Sequence, residues 1–328
     1  MRNEYYYVYC NGLLGVKTNA PDFKWVYGCV APFCQPQEYE KCVVKFDITF
    51  LPEKDLEEPL SFDDRFQSFM WDKKSHTVFY RRTMFSKLRI GYNIKISDNK
   101  VEANIGKNYL RFVKQRMMNL HAAYYLLSDV ANIMLLKNGY LTLYASAVHY
   151  TDKNRGVVCF SPPNTGKTTT AMKLCERTDY SFVSEDIVIT DTSRLYSCPY
   201  TSSYRAQKSA DSSGSYGRVR KLNSKENLEV CDLTDLVLLS RTEERPLETK
   251  KDFLRYIQIL NGYLFNYYSS PIVKVLGYFD ENYGEMWNRY AEKMLGEMVE
   301  NCNCHPIRCE DFTQFDSLVH SKVAGEEL

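Results

Sequence analysis

The sequence predicts an α/β protein in two parts: a β-rich N-terminal region over residues 1–115, then an α/β domain over 116–328. Three observations predict it. Short segments rich in β-branched and aromatic residues recur through the first third of the chain. The apolar period then becomes helical near residue 109. Further on, an apolar strand, a polar turn and a helix-opening Gly-Lys-Thr follow one another in RGVVCFSPPNTGKTTTAMKL (155–174).

In the first region the strand candidates are YYYVYC (5–10), KWVYGCVA (24–31), CVVKFDITFL (42–51), HTVFYRR (76–82), LRIGYNIKIS (88–97) and KVEANIG (100–106). They alternate, or run in residues that suit a pleated surface. Asn11-Gly12 and Ser97-Asp98-Asn99 are turn signals. An antiparallel layer or small sandwich is expected. Residues 109–137 contain no Gly or Pro. Leu110, Val113, Met117, Leu120 and Tyr124 recur at helical spacing, as do Leu127, Val130, Ile133 and Met134. This is one long helix or two short ones, closed by Asn138-Gly139. His121, on this stretch, is expected to be packed or capped rather than catalytic.

The second region opens with YLTLYASAVHY (140–150), the turn TDKN and the strand RGVVCF. A helix over about 167–177 and a strand SFVSEDIVIT (181–190) follow. Strands alternating with a helix imply an α/β core. Residues 201–227 are polar, Ser-rich and net basic, and read as a long loop, either disordered or a lid. EVCDLTDLVLLS (229–240) is strand-like; 252–269 and 285–301 are helical. The run CNCHPIRC brings Cys302, Cys304, His305 and Cys309 close together. It lacks the paired CxxC of zinc ribbons and fingers, so a loop with free thiols is expected there.

Composition excludes several classes. With 328 residues and 44% apolar content the chain can build a sizeable core. A net charge of +1 gives no nucleic-acid footprint. No stretch approaches the ~18 apolar residues of a membrane span. The start, MRNEYYYVYCNGLLG, has no signal-peptide core, so a cytoplasmic location with the eleven cysteines reduced is expected.

The 161–169 turn carries the chemistry. The usual phosphate-loop pattern is G-x-x-x-x-G-K-[ST], and Ser161 stands at its first glycine. Gly166 lets backbone approach a phosphate. The amides of about Asn164–Thr169, with Thr165 and Thr169 among them, can point into one concavity at a helix N-terminus, where the dipole favours an anion. Lys167 can reach β- and γ-phosphates, and the Thr168 hydroxyl can ligate Mg²⁺. A triphosphate site also needs a carboxylate for the metal. Glu185 and Asp186 lie 18 and 19 residues after Lys167, inside an apolar segment. Two acids there suggest that one binds metal, with Asp186 a metal candidate beside Thr168, while the other accepts a proton from an attacking hydroxyl, so that Glu185, Asp186 and Lys167 are the catalytic candidates.

In that order, ASAV (145–148), an apolar strand, GKTTTA (166–171) and an acid pair in SEDIVI (184–189), the residues resemble the catalytic domain of HPr kinase/phosphorylase, whose fold is shared with phosphoenolpyruvate carboxykinases. The resemblance covers roughly 140–240. It implies a P-loop HPr-kinase/PEP-carboxykinase-like core that uses ATP and Mg²⁺, with Lys167 and Thr168 on phosphate and metal and Glu185 and Asp186 at the acid pair. It further implies a Ser hydroxyl of a protein or peptide as acceptor. Pro199-Tyr200 and Arg205 sit where relatives carry a Pro-containing stretch near the nucleotide. True HPr kinases form hexamers, which leaves a homo-oligomer open. Three positions depart from the family: Ser161 for glycine, Glu185 for the first Asp, and Tyr144 where relatives often carry His. The glycine-rich phosphorylase segment is missing. Two functions therefore stand side by side, a Ser kinase and a non-catalytic ATP-binding regulatory or scaffolding module. A carboxykinase would need extra His, Lys and Arg residues that five histidines do not supply.

Overall fold

The computed structural model describes residues 4–21, 23, 33–59, 64–66, 68–84, 87–114, 123–185, 187–198, 203–205, 219–221, 230–240, 249–268, 272, 275, 276 and 287–325. The sequence readings at 24–31, His121, Asp186 and Pro199-Tyr200 lie outside them. The chain divides into two units. One is built mainly from Val30–Tyr140 with the N-terminal segment and Phe265–Glu292; the other from Leu141–Leu264 with Lys293–Leu328. Each contains a mixed eight-stranded sheet with helices, an α/β arrangement.

In the first unit, β1 (Tyr5–Tyr9) and β2 (Leu14–Thr18) form a hairpin. Its turn places Cys10, Asn11 and Gly12 in the left-handed region, which Asn-Gly tolerates. The short helix α1 (Pro36–Glu40) leads to β3 (Val44–Leu51). The strands β4 (Asp64–Phe66), β5 (Phe69–Asp72), β6 (Thr77–Met84), β7 (Leu88–Ser97) and β8 (Lys100–Gly106) complete a sheet of order β1-β2-β3-β8-β7-β6-β5-β4. It is not the antiparallel layer that the sequence suggests. β2–β3 and β3–β8 pair in parallel, so the sheet is mixed. Strand alternation holds: Val44, Phe46 and Ile48 of β3 are buried while Lys45, Asp47 and Thr49 are half-buried.

The helical stretch is two helices, α2 (Lys107–Lys114) and α3 (Ala123–Lys137). α3 is buried continuously from Leu127 to Leu136, not along one apolar stripe, and the buried run includes the polar Ser128, Asp129 and Asn132. Asn138-Gly139 closes it, with Gly139 at φ +82°.

The N-terminus of α2 is capped from far away in sequence. Glu53 Oε1 accepts the amides of Asn108 and, at 3.2 Å, Tyr109. Glu53→Ala is expected to cost about 1 kcal/mol, the usual loss for a capping acceptor. Thermal unfolding checks this, and Glu53→Gln, which keeps a carbonyl oxygen, should lose less.

The second unit begins with β9 (Leu141–Leu143) and β10 (Ser146–Tyr150). β11 (Arg155–Phe160), α4 (Lys167–Leu174), β12 (Tyr180–Ser184), β13 (Val188–Thr190) and β14 (Arg194–Tyr196) follow. SFVSEDIVIT is therefore not one strand. It breaks at Glu185, β12 pairing with β10 and β13 with β9 and β14. Within the stretch read as a loop, β15 (Ser203–Arg205) and β16 (Val219–Lys221) form a small antiparallel ladder. Next come β17 (Val230–Ser240), α5 (Lys250–Tyr268), α6 (Glu292–Asn301), β18 (Asn303–Arg308) and α7 (Phe315–Ala324). CNCHPIRC is thus mostly a strand, β18, not a loop, and it pairs in parallel with β17.

The sheet order is β12-β10-β11-β17-β14-β13-β9, with β18 beside β17. β11, β17 and β18 run parallel, and β10 runs antiparallel to both β11 and β12. One face carries Val148, Tyr150, Val157, Cys159, Val237, Leu239 and Ile307, covered by Ala171 and Leu174 of α4 and by Phe315, Val319 and Val323 of α7. Val158, Phe160, Leu236 and Leu238 alternate with these and are also buried. A sheet buried on both faces is what near-continuous apolar strands such as GVVCF require. Cys159, Cys175, Cys231 and Cys302 have their thiols pushed up to about 12 by burial, so they stay protonated at neutral pH. Among the described residues every cysteine is a free thiol. No described helix is long and apolar enough to cross a membrane.

Candidate phosphate-binding site

Three turns meet at one edge of the second sheet. β10 is antiparallel to β11 and β12, so its start lies at the same edge as their ends. The register fixes the levels. Ala147 faces Val158 on one side and Ser184 on the other. Tyr144 therefore precedes β10 where Ser161 leaves β11 and Glu185 leaves β12. β11 and β12 stand two strand spacings apart, roughly 10 Å.

Within the loop, Ser161 is fully buried and its hydroxyl donates to Pro162 O at 3.1 Å, so its side chain turns onto the loop's own backbone. Thr165 N donates to Pro162 O at 3.3 Å. Asn164 has φ +63° and Gly166 φ +106°. Gly166 caps α4 with no side-chain cap, and the first helical bond is Thr170 N to Gly166 O at 2.8 Å. The amides of Gly166, Lys167, Thr168 and Thr169 thus precede any intrahelical acceptor. Left-handed residues beside a helix start turn such amides inward, a nest for oxyanions. Thr168 and Thr169 are half-buried.

Lys167 is 5% exposed, and its Nζ lies 3.9 Å from the centroid of the Tyr144 ring. Tyr144 is held by its backbone. Its amide donates to Asn261 Oδ1 at 2.8 Å, and Asn261 Nδ2 donates to Thr142 O at 3.3 Å. Buried Asn261 of α5 thereby satisfies both of these backbone groups at the β9–β10 link. Glu185 is 5% exposed at the same edge. Ser161, Asn164–Thr169 and Glu185 thus lie at the same end of the second sheet, with β11 and β12 two strand spacings apart, while Asp186 lies outside the described residues.

Asn261 and Arg308 carry no sequence signal as site residues, and Tyr144 stands out only as a departure from the family pattern. Arg308 ends β18 opposite Ser240, at the same edge, with a buried Nη2 that has no hydrogen-bond partner among the described residues. Nothing local marks these residues; only the strand order brings them here.

The residues fit a phosphate group: four helix-start amides, a lysine, and a left-handed glycine beside them. Among the described residues no group of three or more His, Cys, Asp and Glu is placed to hold a metal ion. A nucleotide-borne Mg²⁺ asks less of the protein, because phosphates and waters supply most ligands. The Thr168 hydroxyl and a carboxylate of the 185–186 pair are the groups that would hold it.

A second polar cluster sits toward the opposite end of the same strands. Asp235 of β17 is fully buried. Arg155, the first residue of β11, grips both its oxygens, with Nε donating to Oδ2 at 2.7 Å. Thr234 Oγ1 donates to Oδ2 at 2.7 Å, Asn303 Nδ2 to Oδ1 at 3.3 Å, and His305 Nε2 to Oδ1 at 2.8 Å. The His305 nitrogen must be the donor, since a carboxylate only accepts. Burial alone would raise the Asp235 pKa, but bonds from His305, Arg155 and Thr234 outweigh it and hold the carboxyl below its ordinary value.

No protein-family model and no curated protein matches the chain. Among solved structures, the HPr(Ser) kinase/phosphatase from Coxiella burnetii is similar over 33% of this chain and 70% of that chain, at 17% identity and a TM-score of 0.25.

Proposed function

We propose that the chain binds a nucleoside triphosphate at Ser161–Thr169 and transfers its γ-phosphoryl group to a Ser hydroxyl of a protein or peptide, with ATP and Mg²⁺. The supporting observation is the loop itself: Gly166 at φ +106° opening α4, with Lys167 buried just after it. The loop amides and Lys167 would hold the β- and γ-phosphates and neutralise charge on the transferring group. Mg²⁺ would supply further charge neutralisation across the phosphates. The acid pair has the remaining role. Glu185 or Asp186 takes the acceptor's proton as its oxygen bonds to the γ-phosphorus, the bond to the β–γ bridging oxygen breaks, and the nucleoside diphosphate leaves.

The second reading, an ATP-binding module without transfer, is favoured by Ser161 and Glu185, which replace the glycine and Asp of the family pattern. Incubation with γ-labelled ATP, Mg²⁺ and cell extract separates the two. Label on serine is expected, with Asp186→Asn and Glu185→Gln losing turnover far more than nucleotide affinity. ATP binding with no labelled product under any condition would leave the module reading standing.

A further inference from the structure

We propose that the ladder β15–β16 is the docking surface for the acceptor, and that the acceptor Ser lies in an acidic, extended peptide segment. This deepens the transfer reading above and rests on it.

The ladder is rooted beside the acid pair. The segment that holds it leaves the second sheet at Cys198, which is bridged in parallel to Ser184. Cys198 N donates to Val183 O at 3.2 Å, and Ser184 Oγ donates to Cys198 O at 2.9 Å. Ser184 immediately precedes Glu185. The segment returns at Val230, which pairs with Tyr196, two residues before Cys198. Ser203, the first residue of β15, is separated from Cys198 by at most about 18 Å of extended chain. A peptide that offers a hydroxyl to the acid pair therefore passes close to the ladder.

Charge selects the occupant. Residues 201–227 hold six Lys and Arg against two acids, while the whole chain balances 42 against 41. Positive charge is thus concentrated in this segment, and the remainder of the chain is net acidic. Such complementarity favours acidic neighbours of the reacting Ser and disfavours basic ones. A nucleic acid asks for a basic protein face, and a net charge of +1 argues against it.

The backbone supplies the means of docking. Ser203 pairs with Lys221, Tyr204 with Arg220 and Arg205 with Val219. Arg205 and Lys221 therefore share one face of the ladder, and Arg220 lies on the other. Among the described residues the sheet has two strands only, so each strand keeps an edge of unpaired backbone groups. An extended peptide adds there as a third strand. Main-chain bonds hold it whatever its sequence, and the basic positions choose its charge.

Fluorescence anisotropy with the full chain tests this, using synthetic peptides with one Ser flanked by Asp and Glu, or by Asn and Gln. Each peptide is also assayed for label from γ-labelled ATP. The acidic peptide is expected to bind about tenfold tighter than the neutral one, a difference that shrinks as salt rises from about 0.05 M to about 0.5 M. Arg220→Gln combined with Lys221→Gln should weaken the acidic peptide about fivefold and leave ATP affinity within about twofold of the parent. Arg220→Glu combined with Lys221→Glu should instead prefer a Ser peptide flanked by Lys and Arg, a gain that a misfolded ladder could not produce. Equal affinity for acidic and neutral peptides, or tighter binding of oligouridylate than of the acidic peptide, overturns the docking surface and leaves the kinase reading in place. Charge-selective binding with no label on any serine overturns the transfer reading, and with it the bound peptide's assignment as acceptor.

Discussion

Lys167→Ala is expected to weaken triphosphate binding by about 100-fold or more, the equivalent of about 3 kcal/mol for removing one partner of a buried charge pair. The side chain is buried, so the contact it makes to a phosphate would be poorly screened by water or salt. The fold should survive the change. Ala171 and Leu174 anchor α4 in the core, and Lys167 is not part of that apolar cluster. Calorimetric titration with ATP, alongside a far-ultraviolet spectrum matching the parent, is the check. Parent-like affinity in the alanine variant would refute the site.

Asp235→Ala is expected to be strongly destabilising to the second unit, at about 3–5 kcal/mol. The carboxylate is fully buried and receives bonds from Arg155, Thr234, Asn303 and His305. Its removal strands a guanidinium and several polar donors facing one another. The same carboxylate gives a pH dependence with a definite sign. Its folded pKa lies below the unfolded value of about 3.9. The folded state therefore binds fewer protons, and the contribution is fully present above that value and lost as the pH falls below it through the folded pKa. Urea midpoints measured between neutral pH and about pH 3 should fall for the parent. Asp235→Asn, already less stable, should lack this component of the decline. Parallel declines in the two proteins would show that Asp235 is not its source.

The parts of this molecule written locally are legible in the sequence. β7 and β8 coincide with LRIGYNIKIS and KVEANIG because alternation and turn residues are local signals. The strand, turn and helix around Gly166 are equally plain, since a glycine at positive φ and a helix start lie within a few residues of each other. Strand order is not legible. β11 pairs with β17, joining Val157 to Asp235, and no local pattern announces a partner so distant in the chain. The break at Glu185 is hidden for a related reason. Apolar residues run through SFVSEDIVIT, but its two halves take different neighbours, β10 and β9, which only the assembled sheet decides. Tyr144 illustrates the limit at the site. It lies well before Lys167 in the chain, and only the antiparallel course of β10 beside β11 brings the two together.

The order of synthesis leaves α4 without its brace for a time. Phe315, Val319 and Val323 of α7 share one apolar cluster with α4, and the last carbonyls of α7, Val323 O and Ala324 O, are held by Arg155 and Lys153. The helix that follows the 161–166 turn is thus supported by residues made long after it. At ribosomal speeds, the loop and α4 wait on the order of ten seconds for that support to emerge. Until then the apolar side of α4 is incompletely covered. A nascent chain halted before residue 315 should therefore expose the face of Ala171 and Leu174 to chaperones, and nucleotide-binding competence should appear late in synthesis rather than when the loop itself leaves the ribosome.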